Sequence, residues 1–359
     1  MAAAQTKASE PIFLDESSGR NADPDGMTHL QGILRQTKLV LFDCDGGMDR
    51  AHIQRCKPNL APIAVLWRSS TAIEAAPPLL TALKEAGIKI AYVTNNSSKP
   101  RSAYIDKINS VLVDGKQRPE PATGDIFSSA YATALHLKSL GLGKGDTVMV
   151  VGEPGLAREL ELTAGVTCVG QDLSSVPFDM GSTPHDIQRA LQEEPVSAVV
   201  VGFDANLSYV KIAFAASHLR YNPKCHFVAT NRDLSYPTSA GLLLPGGGTA
   251  VHAVEAGSGR LVQSVAGKPS TALMDVIALE HELSRREDGS WPCLMVGDRL
   301  DTDIAFACAA NMPSLLVLSG VTDAQQALGL RTAAPSGPCP SFVAEDVGVL
   351  SKAVAAVRK

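Results

Sequence analysis

Apolar residues follow two rhythms along this chain. Short runs bounded by polar turns read as strands at 38–42, 88–93, 147–151, 198–203, 227–230, 294–296 and 315–318. Between them lie stretches with helical spacing, at 29–36, 77–86, 102–112, 156–163, 207–221, 250–256, 271–281 and 304–310. In the second of these a proline stands in the first turn and Gly87 follows the last, which are the ordinary start and stop signals of a helix. A run with no polar alternation suits a strand covered on both faces. Strands alternating with helices predict an α/β fold of parallel sheets wrapped by helices.

Two stretches break the rhythm. Residues 1–30 are polar and aperiodic and are expected to form an N-terminal arm. Residues 47–64 contain two prolines and more basic than acidic residues, and follow neither the helical nor the strand period. They read as an irregular loop of unusual length for a compact domain.

With 359 residues the chain is long enough for two domains, or for one domain with a large insertion. Its 45% hydrophobic and 19% charged residues are those of a globular protein with a substantial core. A net charge of −5 supplies no basic footprint, so neither nucleic acid nor an anionic membrane is expected as a partner. No apolar run approaches the roughly 20 residues of a membrane span. The first twenty residues hold no apolar core of a signal peptide. Seven scattered cysteines without a C-x-x-C pair argue for reduced thiols and a cytoplasmic location.

The candidate chemistry sits at the ends of the predicted strands, where open α/β sheets place it. The first strand runs into Asp43-Cys44-Asp45-Gly46, the second into Thr94-Asn95-Asn96, and that at 294–296 into Gly297-Asp298-Arg299-Leu300-Asp301-Thr302-Asp303. Lys268 lies in the loop Gly267-Lys268-Pro269-Ser270. Taken alone, Asp-x-Asp-Gly reads equally well as a phosphate and cation site or as an acidic turn.

The phrases Phe-Asp-Cys-Asp-Gly, Val-Thr-Asn-Asn-Ser-Ser, Val-Gly-Phe-Asp, Ala-Thr-Asn-Arg-Asp, Gly-Lys-Pro-Ser and Met-Val-Gly-Asp-Arg-Leu-Asp-Thr-Asp occur in this order. In that wording the chain resembles the haloacid dehalogenase superfamily of phosphatases. Within it the chain is similar to the 4-nitrophenylphosphatase-like branch, which includes 2-phosphoglycolate and pyridoxal-phosphate phosphatases. The resemblance implies a doubly wound, Rossmann-like parallel-sheet core (31–122 and 246–359) with a large C2-type α/β cap inserted at 123–245. It implies a Mg²⁺-dependent phosphomonoesterase of small phosphorylated metabolites, with 2-phosphoglycolate the first choice. The alternatives are a pyridoxal-phosphate or broad 4-nitrophenyl-phosphate phosphatase, or a catalytically impaired protein.

On the same resemblance Asp43 is the nucleophile that forms an aspartyl-phosphate, and Asp45 the proton donor and acceptor. Magnesium is held by Asp43, the Asp45 carbonyl and Asp298. Thr94 with Asn95 and Asn96 receives the phosphoryl oxygens, Lys268 supplies positive charge, and Asp303 supports the lysine or the metal shell. Asn231, Asp233 and Tyr236 fall in the cap's substrate-facing loop. Tyr236 replaces the histidine of pyridoxal-phosphate phosphatases, and Gly246-Gly247-Gly248-Thr249 is similar to the plant-type phosphoglycolate phosphatases. A homodimer through the cap is also implied.

The chain departs from the family pattern at one place. Removing 47–64 restores Phe-Asp-Cys-Asp-Gly-Val-Leu-Trp-Arg, so eighteen extra residues follow directly on the second acid. A surface loop and a translated intervening sequence are the two competing origins.

Overall fold

The computed structural model describes residues 10–15, 23, 25–44, 65–68, 71–112, 121–237, 242–332 and 337–357. Asp45, the expected acid/base, and the insertion at 47–64 lie outside these residues. The first strands are β1 (Ile12–Phe13), β2 (Leu39–Asp43), β3 (Trp67–Arg68), β4 (Thr71–Ala72), β5 (Lys89–Thr94) and β6 (Ile126–Ser128). Next come β7 (Thr147–Val151), β8 (Thr167–Val169), β9 (Ala198–Val201), β10 (His226–Ala229), β11 (Ser235–Pro237) and β12 (Leu243–Pro245). The last are β13 (Ser264–Val265), β14 (Cys293–Gly297), β15 (Ser314–Val317) and β16 (Phe342–Ala344).

Two parallel sheets form. The larger has seven strands in the order β1-β16-β15-β14-β2-β5-β6, the smaller five in the order β13-β10-β9-β7-β8. Strands β2 and β14 are buried at every residue. Their side chains alternate between two apolar layers, as the period of two requires. Val40 and Phe42 join Leu30, Leu79, Leu83 and Leu350 on one face, while Leu39 and Leu41 join Phe127, Leu273, Ile277 and Phe306 on the other. Helices therefore cover both faces, and the unbroken apolar runs of the sequence follow from that double coverage.

The division between the sheets differs from the expected bounds of 123–245. Ile126–Ser128 pairs in parallel with β5 and belongs to the large sheet. Beyond 245, the helix Gly247–Ser258 packs Ala250, Val251 and Val254 into the core of the small sheet, and Ser264–Val265 pairs with β10 at its edge. The two strands are only three and two residues long, too short to show a period. The helix Ser129–Ser139 serves both layers: Tyr131 and Ala132 pack with the large sheet, Ala130, Ala134 and Leu137 with the small one.

The expected arm is also corrected where it is described. Ile12–Phe13 adds an edge strand beside β16, in register with Phe342 and Val343, and Gly26–Leu34 is a helix with Leu30 and Leu34 buried. Two apolar residues are too few to display a period, yet they complete the sheet edge. The strand at 315–318 is consequently not the last: β16 and then β1 extend the sheet beyond it. After the insertion the chain resumes with Val65, Leu66 and Trp67 fully buried in the core.

Candidate active site

Three neighbouring strands of the large sheet deliver the polar residues to one edge. In register Val296 lies beside Phe42, Asp43 beside Val93, and Thr94 beside Ser128. The carboxyl ends of β14, β2 and β5 thus carry Asp298, Asp43 and Thr94 side by side.

Carboxylate oxygens of Asp43, Asp298 and Asp303 lie within 4.8 Å of one another, and all three residues are buried. Lys268 reaches the cluster from its loop, its Nζ 2.5 Å from Asp43 Oδ1 and 2.7 Å from Asp303 Oδ1. Only 2% of Lys268 is exposed. Burial alone would lower its pKa, but the charges of Asp303 and Asp43 outweigh it and hold the ammonium above its ordinary range. Asp298 is pushed well above the usual carboxylate range by burial and by the facing charges of Asp43 and Asp303. One ammonium against three carboxylates leaves the cluster short of positive charge.

Local backbone geometry holds the acids in place. A π-helical turn at Leu300–Ile304 directs the amides of Asp303 and Ile304 to the same carbonyl, that of Arg299, at 3.1 Å each. This turn folds Asp303 back so that its Oδ2 accepts from the amides of Asp298 (3.0 Å) and Arg299 (3.1 Å). Asp298 Oδ2 accepts from the Val321 amide at 2.8 Å. Gly320 packs against the Asp298 carboxylate so closely that a Cβ there would overlap it.

At the end of β5, Thr94 is fully buried and its Oγ1 accepts from the Asn96 amide at 3.0 Å. The Asn96 side chain is turned to its own loop, accepting from Ser98 N and Ser98 Oγ at 2.8 and 2.7 Å. Asn95 ties three loops together. Its Nδ2 donates to Asp233 Oδ1 (3.1 Å) and to the Lys268 carbonyl (3.0 Å). Its carbonyl accepts from Ser129 Oγ (2.6 Å) and Asn231 Nδ2 (2.7 Å). Asp233 is raised above its ordinary pKa chiefly by burial, against the opposing charge of Arg299.

These residues border a cavity of about 370 Å³ between the two sheets, lined by Asp43, Thr94, Lys268, Asp233 and Tyr236 among others. Tyr236 stands on the hairpin of β11 and β12, edge-on to Phe203 with ring centroids 5.1 Å apart. Of the residues named from the sequence, Asp43, Thr94, Asn95, Asn96, Asn231, Asp233, Tyr236 and Lys268 all line this cavity; Asp298 and Asp303 stand behind its floor, in the cluster with Asp43. Phe203, Lys107 and Arg299 also line the cavity, without having been expected from the sequence. Phe203 and Arg299 lie inside motif phrases, which was the available signal, whereas Lys107 is a helix residue with none.

Residues 64–165 match the family described as haloacid dehalogenase-like hydrolase, and residues 265–350 match HAD-hydrolase-like. The first match begins where the inserted stretch ends. A glycerol-3-phosphate phosphatase of Gallus gallus is 35% identical over 327 residues, covering 90% of this chain and 94% of its own length. Phosphoglycolate phosphatase 2 of Arabidopsis thaliana is 35% identical over 299 residues, 82% of this chain and 87% of its own. Among solved structures, a 4-nitrophenylphosphatase of Thermotoga maritima superposes with a TM-score of 0.65 at 27% identity, covering 90% of this chain and 99% of its own. A glycerol phosphate phosphatase of Mycobacterium tuberculosis in complex with magnesium has a TM-score of 0.64 at 27% identity, covering 89% of this chain and 79% of its own. Four motif loops meet at one sheet edge, and relatives at this identity align over nearly their whole length: the chain belongs to the haloacid dehalogenase-like hydrolase family.

Proposed function

We propose that this chain is a magnesium-dependent phosphomonoesterase of small phosphorylated metabolites. The observation that carries the reading is the buried cluster of Asp43, Asp298, Asp303 and Lys268 at the carboxyl edge of the sheet. Three clustered acids, two of them on one ammonium, suit a hard divalent cation better than an unassisted phosphate. Magnesium, held by Asp43, Asp298 and the Asp45 carbonyl, would neutralise this excess charge and polarise the phosphoryl group. The magnesium complex of the M. tuberculosis relative supports this choice of ion.

In this reading an Asp43 carboxylate oxygen attacks phosphorus, and the bond to the ester oxygen breaks as that oxygen takes a proton from Asp45. Asp45 then removes a proton from water, the hydroxide attacks the aspartyl-phosphate, and Asp43 is released with inorganic phosphate. Lys268 balances the non-bridging oxygens from its fixed place between Asp43 and Asp303, and needs no reorganisation to do so. Thr94 and the amides of Asn95 and Asn96 are assigned to the phosphoryl oxygens. Tyr236 and Asp233 face the leaving group.

The relatives divide between glycerol-3-phosphate and phosphoglycolate. We assign 2-phosphoglycolate first. Lys107 and Arg299, the latter paired with Asp301 at 2.9 Å, line the cavity that would take a substrate carboxylate, and by the family resemblance Tyr236 replaces the histidine of pyridoxal-phosphate phosphatases. The same reading includes a homodimer through the cap, which the exposed Leu234, Leu242 and Leu243 support, and a cytoplasmic location. Among the described residues no helix is long and apolar enough to cross a membrane.

The test is a substrate panel of 2-phosphoglycolate, glycerol 3-phosphate, pyridoxal phosphate and 4-nitrophenyl phosphate with Mg²⁺, run on the full chain and on a chain lacking 47–64. Highest kcat/KM on 2-phosphoglycolate in both supports the assignment. Activity only in the shortened chain makes the full-length protein the impaired form, and no turnover in either overturns the reading.

A further inference from the structure

Beyond the phosphatase cluster, one more Lys–Asp pair is buried among the described residues. Lys211 Nζ lies 2.6 Å from Asp204 Oδ2, and each side chain is 2% exposed. It sits in the small-sheet layer and takes no part in the chemistry above. A buried pair of this kind gives little net stability over an apolar replacement of similar volume. Its position offers another role.

Asp204 is the residue after Phe203, which lines the cavity and packs edge-on against Tyr236. The segment carrying both leaves β9 and enters the helix Tyr209–Tyr221, of which Lys211 is the third residue. Ser208 caps this helix by accepting from the Lys211 amide at 3.2 Å, so the lysine has a fixed origin. Asp204 is held at its other oxygen too, where Oδ1 accepts from the Asn206 amide at 3.0 Å. Glu153 braces the same turn from the neighbouring loop: its amide donates to the Phe203 carbonyl (3.1 Å) and its Oε1 accepts from the Ala205 amide (2.9 Å). The segment from Phe203 to Ala205 is therefore fastened from two directions, and the aromatic ring that lines the cavity beside Tyr236 inherits that rigidity.

We propose that Asp204 and Lys211 are a positioning pair, which holds Phe203 against Tyr236 and so sets the shape of the leaving-group side of the cavity. The proposal rests on the phosphatase reading for its substrates, but the ring placement is testable without turnover. The double variant Asp204→Leu/Lys211→Met removes both charges and keeps the volume filled, so it is expected to fold. For the substrate that the unmodified chain prefers in the panel, KM should rise about tenfold with kcat held within about threefold, because substrate positioning is lost while the phosphoryl machinery is untouched. Phe203→Ala should reproduce that split. In chain labelled with 3-fluorotyrosine, the Tyr236 resonance, assigned by its loss in Tyr236→Phe, should shift in the double variant. A folded double variant with unchanged KM overturns the proposal. So does an unshifted Tyr236 resonance, and this readout stands even if the chain hydrolyses none of the panel, the result that would defeat the phosphatase reading instead.

Discussion

Two buried lysines meet aspartates among the described residues, and their surroundings separate them. Around Lys268 two carboxylates, Asp43 and Asp303, meet one ammonium, and the acid of Asp298 lies within 4.8 Å of both, so acidic groups outnumber the ammonium away from water. Around Lys211 a single carboxylate meets a single ammonium, and the remaining acceptor atom of Asp204 is occupied by a backbone amide. Burying unbalanced charge is costly unless something returns to balance it. In the proposed function the first group receives a cation and phosphate, while the second stays as it is. Charge balance, rather than burial or distance, distinguishes chemistry from bracing here.

The comparison can be broken at several points. Asp43→Asn should lower turnover by about a thousandfold or more, since the nucleophile has no substitute. Its thermal midpoint should stay level or rise, because one of three facing carboxylates has lost its charge. Assays with Mg²⁺ alongside calorimetry check both, and surviving turnover would remove Asp43 from its role.

The two lysines give the next contrast. Lys268→Met leaves Asp43 and Asp303 without their ammonium and should cost about 3–5 kcal/mol of stability together with turnover. Lys211→Met leaves Asp204 uncompensated and should cost a similar amount. Removing Asp204 as well, as Leu, should restore stability to within about 1 kcal/mol, because the apolar replacement has no charge to bury. No second substitution is expected to rescue Lys268→Met in this way. Urea unfolding of the three variants measures it.

A third contrast uses the ion itself. Mg²⁺ at a hundred times its dissociation constant should stabilise the folded chain by about 2.7 kcal/mol, and EDTA should remove the effect. Asp298→Asn should abolish the Mg²⁺-dependent rise in melting temperature, whereas the Asp204→Leu/Lys211→Met variant should keep it.

The smallest effect concerns pH. Burial lowers the pKa of His218, and of His136 with a further contribution from His226. Their folded-state values lie below the unfolded value of about 6.5, so the unfolded chain binds more protons as pH falls through that value. The stability they contribute is complete above it and is lost as pH drops towards the folded values. The melting temperature should fall between pH 7.5 and 5.5, and His218→Gln should flatten that slope.

Much of this division was legible in the sequence. Strands β2 and β14 announce themselves because coverage on both faces demands an unbroken apolar run, and their acids follow within one or two residues. Asp298 and Asp303 are five positions apart, and a single turn brings them together. The short strands β1, β6, β13 and β16 were missed because two or three residues cannot show a period, and their pairing comes from neighbours remote in the chain. The boundary between the sheets was misplaced for the same reason.

What the sequence determined by itself is the α/β class and the polar residues that end its strands. Both depend on local spelling: apolar runs, and motif phrases in which each polar residue sits at a strand end. Tertiary structure alone decided how the set is balanced and joined. It placed Lys268 against residues 225 and 35 positions away, and made Asn95 a tie to Asp233, 138 positions distant. It also left Asn96 to bond its own loop while Phe203 came to face Tyr236. Such contacts join segments that meet only when the sheets close, and local patterning carries no record of which side chains will face one another then.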